Sequence, residues 1–289
     1  MNTDAKRRVL LGLIGAGIQR SLTPSMQEGE GDANGLRCLY QRVDLDKLNL
    51  TAEALPYLLA AAEKMGFSGL NITYPCKQKV LPLMDAVADD ARAIGAVNTV
   101  VFQDGKRIGH NTDWWGFAEG FRRGLPGAAM NHVVQLGAGG AGAATAHAAL
   151  VLGTGTLTIF DVDTQKSTQL ATALCERFGP ARAVAGTDLA KSMRAADGLI
   201  HATPTGMAKH PGLPLPAELL RPALWVSEIV YFPLQTALLQ AAKDTGCRTM
   251  TGGGMAVFQA VKAFELFTGI KPDAGRMLMH FEKLQASSQ

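Results

Sequence analysis

The sequence predicts an α/β protein in two domains, and three observations carry that prediction. Val133 to Leu136 is an apolar run that breaks into Gly137-Ala138-Gly139-Gly140-Ala141-Gly142 and then into Ala-rich sequence, which reads as strand, tight turn and helix. Beyond it, strand and helix patterns alternate as far as Val230, the layout of a right-handed parallel α/β sheet. The chain is 289 residues long, enough for two cores, and the strand-rich stretch before the glycines closes on a separate helix at Asp113.

The glycine turn reads as a GxGxxG dinucleotide fingerprint. Gly137 permits the sharp turn, Gly139 lets the backbone approach a pyrophosphate, and Gly142 lets the helix pack closely on its strand. Unpaired N–H groups at the helix start attract phosphate. A second apolar strand, residues 156–160, ends in Asp161 about 20 residues after the glycines, where a carboxylate can hold the ribose hydroxyls. Capping the helix that starts near Thr164 is an alternative role for Asp161, and the two roles are compatible. The acid repels a 2′-phosphate and no Arg follows in Asp161-Val162-Asp163-Thr164, so NAD is the expected cofactor and NADP the alternative.

With 47% hydrophobic and 18% charged residues, the composition is that of an ordinary soluble globular protein. A net charge of +3 is too small to argue for nucleic acid. No apolar run reaches membrane-spanning length, and residues 1–8 do not lead into a signal-peptide segment, so the expected location is cytoplasmic with no membrane partner. Cys38, Cys76, Cys175 and Cys247 are far apart, without a CxxC or a His ladder. They read as reduced, mostly buried thiols, with neither a metal site nor a disulfide framework.

In chain order, residues 9–14 form a buried strand that breaks at Gly15. In Ser21-Leu22-Thr23-Pro24, a hydroxyl residue before Pro is a common N-cap. The other reading has Ser21 and Thr23 converge on a ligand carboxylate near a positive helix end. Residues 39–43 read as a strand and 52–65 as a helix. The strand from Gly69 stops at Pro75 and places Lys77 in the first turn of a helix, where a cation needs a compensating carboxylate or a task. Residues 95–102 make a strand with polar Asn98 inside it, and Asp104-Gly105 is a hairpin turn returning through residues 106–110. Asp113 fits the N-cap of the helix over 114–124.

After the glycine loop come helices over 164–177 and near 187–195, with strands near 182–184 and over 198–202. Thr203-Pro204-Thr205-Gly206-Met207 sits at the C-terminal end of the last of these strands, where such sheets bind ligands. A Pro-rich loop, a strand over 224–230 and Tyr231-Phe232-Pro233 follow, then a helix over 234–243. Gly252-Gly253-Gly254-Met255 opens a longer helix carrying Gln259, and Pro272 starts the last. The last two helices are expected to return to the first domain, giving 1–112 plus 242–289 as one domain and 113–241 as the other. His110, His147 and His201 have no spaced partner and read as packed or hydrogen-bonded histidines.

Ser21-Leu22-Thr23-Pro24, Asn71-Ile72-Thr73-Tyr74-Pro75-Cys76-Lys77, Gly95-Ala96-Val97-Asn98-Thr99, Asn111-Thr112-Asp113, the glycine loop, residues 202–207, Val230-Tyr231-Phe232-Pro233, and Gly254-Met255 with Gln259 occur in this order. Together they resemble the shikimate/quinate dehydrogenase family over nearly the whole chain. The resemblance implies an N-terminal α/β substrate-binding domain and a Rossmann-type dinucleotide-binding domain with a cleft between them. It also implies reversible oxidation of a ring hydroxyl of shikimate or quinate to the 3-dehydro ketone.

By the same resemblance, the catalytic pair falls on Lys77 and Asp113, and the carboxylate-binding hydroxyls on Ser21 and Thr23. Ring-hydroxyl ligands fall on Asn71, Asn98, Asp113 and Gln259, with Thr73 and Tyr231 lining the pocket. Thr203, Met207 and Gly254 join Gly137, Ala138, Gly139, Gly140, Ala141, Gly142 and Asp161 on the cofactor side. The chemistry suits these residue types. Removing hydride from a carbinol carbon requires its hydroxyl proton to leave, and a positioned amine can take that proton while a carboxylate holds charge beside it.

Thr23 stands where NADP-linked members usually carry a second Ser, and Asp161-Val162-Asp163 replaces their Asn-Arg-Thr-like phosphate site. Both resemble the NAD-linked quinate/shikimate branch, which is associated with catabolism. Trp114 and Cys76 depart from the small residue and the aromatic or His common at those places. The expected partner is a small cyclic hydroxy acid bound by a monomer or homodimer. Two alternatives stand beside this reading: a dehydrogenase of an aminated analogue, and a catalytically idle sensor of NAD and a hydroxy acid.

Overall fold

The computed structural model describes residues 6–287. The chain divides into two compact units, one running to Thr112 and resuming at Gln259, the other comprising Asp113–Phe258.

The first unit contains β1 (Arg8–Gly15), α1 (Thr23–Ala33), β2 (Arg37–Asp44), α2 (Leu45–Leu48), α3 (Leu55–Lys64), β3 (Gly69–Ile72), β4 (Ala86–Val87), α4 (Asp89–Ile94), β5 (Thr99–Gln103) and β6 (Lys106–His110). They form a six-stranded sheet in the order β2-β1-β3-β5-β6-β4. β1 runs parallel to both β2 and β3, whereas β5 is antiparallel to β3 and β6. Asp104 and Gly105 turn the β5–β6 hairpin with φ of 52° and 71°, the two left-handed residues that a type I′ turn requires.

β1 is buried on both faces, which explains its near-continuous apolar sequence. Val9, Leu11 and Leu13 meet Ala263, Phe264 and Phe267, while Ile14 joins Leu55, Leu59, Leu70 and Ile72 on the other side.

The second unit begins with α5 (Asp113–Gly124). It continues through β7 (His132–Leu136), α6 (Gly140–Val151), β8 (Thr156–Phe160), α7 (Thr164–Phe178), β9 (Ala183–Ala185), α8 (Leu189–Ala195), β10 (Gly198–His201), β11 (Trp225–Glu228), α9 (Ala237–Asp244) and β12 (Arg248–Met250). Every strand pairing is parallel, in the order β12-β11-β10-β7-β8-β9. This is the doubly wound order, and it reverses between β7 and β10, where such sheets open a ligand crevice at their C-terminal ends.

The boundary expected at residue 242 is corrected here. β12 pairs with β11 through Trp225↔Arg248, so residues 242–258 fold with the second unit. The division falls inside helix α10 (Gly253–Thr268), between Phe258 and Gln259. The last helix, α11 (Ala274–Ala286), packs on α1 in the first unit. Its anchor is Glu30, 1% exposed, whose carboxylate accepts from Arg276 Nε at 2.8 Å, Arg276 Nη2 at 2.6 Å and the Asp273 N–H at 2.9 Å.

Candidate active-site residues in the two units

In the second unit, Gly137 follows β7 with φ of 104°, and a Cβ there would lie 2.5 Å from the Ala202 carbonyl oxygen. Both facts require glycine. A Cβ on Gly142 would strike the Gly137 carbonyl, so the third glycine sets the close approach of α6 to its own turn. Gly139, the N-cap of α6, has nothing within 4 Å of its Cβ position and makes no side-chain cap. The helix start therefore presents open backbone N–H groups beside an open approach, which fits a dinucleotide pyrophosphate.

The turn is braced from behind by Gln135, which is fully buried. Its Nε2 donates to the carbonyls of Gly137 at 2.9 Å and Gly142 at 2.8 Å, and its Oε1 accepts the Thr145 hydroxyl at 2.9 Å. Asp161, at the end of β8, accepts the Ala138 N–H at 2.7 Å and the Asp163 N–H at 2.9 Å. The cap of α7 is Asp163, which accepts from the Gln165 N–H at 3.1 Å, so the capping role considered for Asp161 belongs to its neighbour. Asp161 is turned to the glycine loop instead.

Thr203 follows β10 and lies against that loop: the Cβ position of Gly137 is 3.1 Å from Thr203 Cγ2. Its hydroxyl is 2.5 Å from Nε2 of His201, whose Nδ1 is 2.9 Å from both oxygens of Glu228. Met207 is 42% exposed in a turn closed by the His210 N–H on the Met207 carbonyl. Gly254 faces Gly120 of α5, whose Cα is 3.5 Å from the Gly254 Cβ position. Asp113 is the first residue of α5, one position inside the expected cap, and is 5% exposed. Burial, and then the Asp113 charge, push the phenol of Tyr231 above its usual range. Trp114 packs edge-on against His147 at 5.4 Å, and His147 against Phe178 at 5.1 Å, so the bulky residue after Asp113 serves the helix packing of this unit.

In the first unit, a buried polar chain joins several of the named residues. Tyr40 donates its hydroxyl to Asn71 Oδ1 at 2.7 Å, and Asn71 Nδ2 donates to Thr99 Oγ1 at 3.1 Å. Thr99 donates to Asn98 Oδ1 at 3.0 Å, which also accepts the Thr112 N–H at 2.7 Å. Burial pushes the Tyr40 phenol well above its usual range, which keeps it a donor at the head of this chain. Asn71 and Asn98 are thus held rigidly by β3 and the start of β5.

The N-cap of α1 is Leu22, with no side-chain cap, so neither Ser21 nor Thr23 caps that helix. Ser21 Oγ accepts weakly from the Thr23 N–H at 3.4 Å, Pro24 has no N–H to offer, and both hydroxyl residues are half-buried at the helix start. Lys77 is not in a helix, contrary to expectation. Residues 74–80 form successive turns, and the Lys77 carbonyl accepts from Val97 at 2.9 Å while the Leu81 N–H turns to Gln78. A helix cannot propagate through that carbonyl. Thr73 bonds through its N–H to Ile14, with its methyl against Gly15. Gln259 is half-buried on α10.

Gln135, His201 and Glu228 were not singled out by sequence as site residues, although each is a polar residue inside an apolar strand, which is the signal that marks them. Among the described residues, no group of three or more His, Cys, Asp or Glu is arranged to hold a metal ion. No helix among them is long and apolar enough to cross a membrane.

The family model for the shikimate dehydrogenase substrate binding domain matches residues 13–100, and that for the shikimate 5′-dehydrogenase C-terminal domain matches residues 252–280. The alanine dehydrogenase/PNT C-terminal domain matches residues 120–217. A Streptomyces avermitilis protein named shikimate dehydrogenase (NADP(+)) is 55% identical over 281 residues, covering 96% of this chain and 97% of its own. The chain belongs to the shikimate dehydrogenase family. Another relative, the quinate/shikimate dehydrogenase (NAD(+)) of Corynebacterium efficiens, is 46% identical over 288 residues, 98% of this chain and 100% of its own. The structure of quinate dehydrogenase from Corynebacterium glutamicum in complex with NAD matches with a TM-score of 0.92 at 44% identity, covering 96% of this chain and all of that one. The expected fold, an N-terminal substrate-binding α/β domain and a Rossmann-type domain, is that of the shikimate dehydrogenase family.

Proposed function

We propose that this protein is an NAD-linked dehydrogenase that reversibly oxidises the 3-hydroxyl of a cyclic polyhydroxy acid, shikimate or quinate, to the ketone. The observation that carries the reading is the Asp161 carboxylate, fixed on the Ala138 N–H of the glycine loop with lone pairs left for ribose hydroxyls. NAD, when bound, supplies the hydride acceptor. Gly139, Gly140, Ala141 and Gly142 hold its pyrophosphate by backbone N–H groups at the start of α6, Gly137 and Ala138 shape the turn through N–H bonds to the Phe160 carbonyl and Asp161, and Thr203, Met207 and Gly254 lie on the nicotinamide side. Asp161 and Asp163 oppose a 2′-phosphate.

On the acid side, Ser21 and Thr23 bind the carboxylate through their hydroxyls at the start of α1. Asn71, Thr73, Asn98, Tyr231 and Gln259 read the ring hydroxyls, with the two Asn amides held in position by the buried network. Lys77 takes the hydroxyl proton as general base and Asp113 holds the compensating charge.

A second reading has NADP as the cofactor, favoured by the name of the Streptomyces avermitilis relative. Initial rates with shikimate and quinate, each paired with NAD and NADP, decide between them. The expected result is kcat/KM concentrated on NAD. Dominance of NADP would establish the second reading, and no turnover in any pairing would refute both.

A further inference from the structure

We propose that Glu228 and His201 form a buried hydrogen-bond relay that fixes the Thr203 hydroxyl as an acceptor for a donor group of the dinucleotide. This rests on the reading of the second unit as dinucleotide-binding. Glu228 and His201 are register partners on β11 and β10, and both are fully buried. The surroundings of the carboxylate set the direction of the relay. Oε1 accepts the Val230 N–H at 2.9 Å, and Oε2 accepts the Thr236 hydroxyl at 3.2 Å. That hydroxyl in turn accepts the Leu239 N–H at 3.2 Å as the cap of α9, so its proton is free for Glu228.

With donors on both oxygens, the carboxylate calls for a donor at His201 Nδ1 as well. In the tautomer carrying its proton on Nδ1, Nε2 is an acceptor and takes the Thr203 proton across 2.5 Å. The Thr203 hydroxyl has then spent its one proton and presents lone pairs only. One of them accepts the Thr205 N–H at 3.3 Å, and another remains for a ligand. Thr203 is half-buried and abuts Gly137, so the relay ends at the turn built for the pyrophosphate. The carboxamide amine and the ribose hydroxyls are the donors a dinucleotide offers there. Apolar residues could fill this part of β10 and β11 with a smaller desolvation penalty, but they could not orient a hydroxyl. His201 and Glu228 are therefore positioning residues for the cofactor, acting through Thr203.

The test is the NAD dissociation constant by titration calorimetry, with melting temperature measured alongside, for wild type, Glu228→Gln, Thr203→Val, Thr203→Ser and the Glu228→Gln/Thr203→Val double variant. Gln at 228 keeps the shape and an acceptor for Val230, but it presents an N–H to Nδ1. The relay then reverses, and Thr203 becomes a donor toward the ligand. NAD binding is expected to weaken about ten-fold in Glu228→Gln and in Thr203→Val. Thr203→Ser should bind as wild type, and the double variant should bind no more weakly than Thr203→Val. A pair that only stabilised the fold would lower the melting temperature, leave the dissociation constant within about two-fold, and overturn the relay. If Glu228→Gln does not fold, Thr203→Val with wild-type affinity overturns it equally. Wild-type protein that binds neither NAD nor NADP would overturn the dinucleotide reading itself, an outcome distinct from either of these.

Discussion

The carboxylate of Asp161 accepts the backbone N–H of Ala138 at 2.7 Å, tying the end of β8 to the turn after β7. One side chain therefore shapes the glycine turn and, in the function proposed, presents its charge to the ribose of the dinucleotide. Asp161→Ala removes both effects. The ratio of kcat/KM for NAD to that for NADP should fall by about ten-fold or more, the scale of a hydrogen bond to a charged group. An unchanged ratio would remove Asp161 as the selector.

For Lys77→Ala, kcat should fall by about 10²–10⁴, the range ascribed to general acid–base catalysis, with acid binding largely retained. Steady-state rates and calorimetric titration with the acid separate the two. Loss of binding with kcat retained would make Lys77 a ligand for the acid and not its base.

Gln135 supplies both of its amide protons to carbonyls of the glycine turn. Gln135→Leu takes the buried donor from the Gly137 carbonyl, at a cost of about 1–3 kcal/mol, while the Thr145 hydroxyl keeps the Gly142 carbonyl, 3.1 Å away, as its acceptor. The variant should melt several degrees lower and bind NAD more weakly. A variant that melts lower with unchanged NAD affinity would limit Gln135 to stability.

Local rules made much of this molecule legible. Two left-handed residues at Asp104 and Gly105 announce their hairpin, and Gly137 and Gly142 announce a turn whose backbone leaves no room for a Cβ. The elements that escaped are short: α4, β4 and β12 span too few residues for either hydrophobic period to emerge. Lys77 misled because its carbonyl is captured by Val97, 20 positions on, and a helix signal contains no information about a distant amide. The partnership of His201 with Glu228 is likewise a matter of strand register, visible only once β10 and β11 lie side by side. Buried polar residues inside apolar strands told of something to be satisfied, but not of the partner.

Cys76 precedes Lys77 in sequence but is fully buried in the core beneath it, and that burial pushes its thiol up to about 11, against a small opposing pull from Lys79. Little thiolate exists at neutral pH, and the thiolate is the reactive form. Iodoacetamide at pH 8 should leave Cys76 unlabelled in the native protein and label it once the chain is unfolded, read by peptide mass spectrometry. Native labelling of Cys76 would mean that the core around it opens.

Asp44 predicts the acid limb of stability. Burial raises its carboxyl, but hydrogen bonds from Gln19 Nε2 at 2.8 Å, the Gly17 N–H at 3.1 Å, the Asp46 N–H at 3.2 Å and the Ile18 N–H outweigh burial and hold it below the usual carboxylate range. A depressed folded value means that the unfolded chain takes up the proton first. The contribution is therefore full above the unfolded value of about 3.9 and disappears as pH falls through the lower folded one. Asp44→Asn should melt below wild type at pH 7, and the gap should narrow as the pH is taken from 5 toward 3. A gap that stays constant over that window would assign the loss to packing around Asp44 and not to its charge.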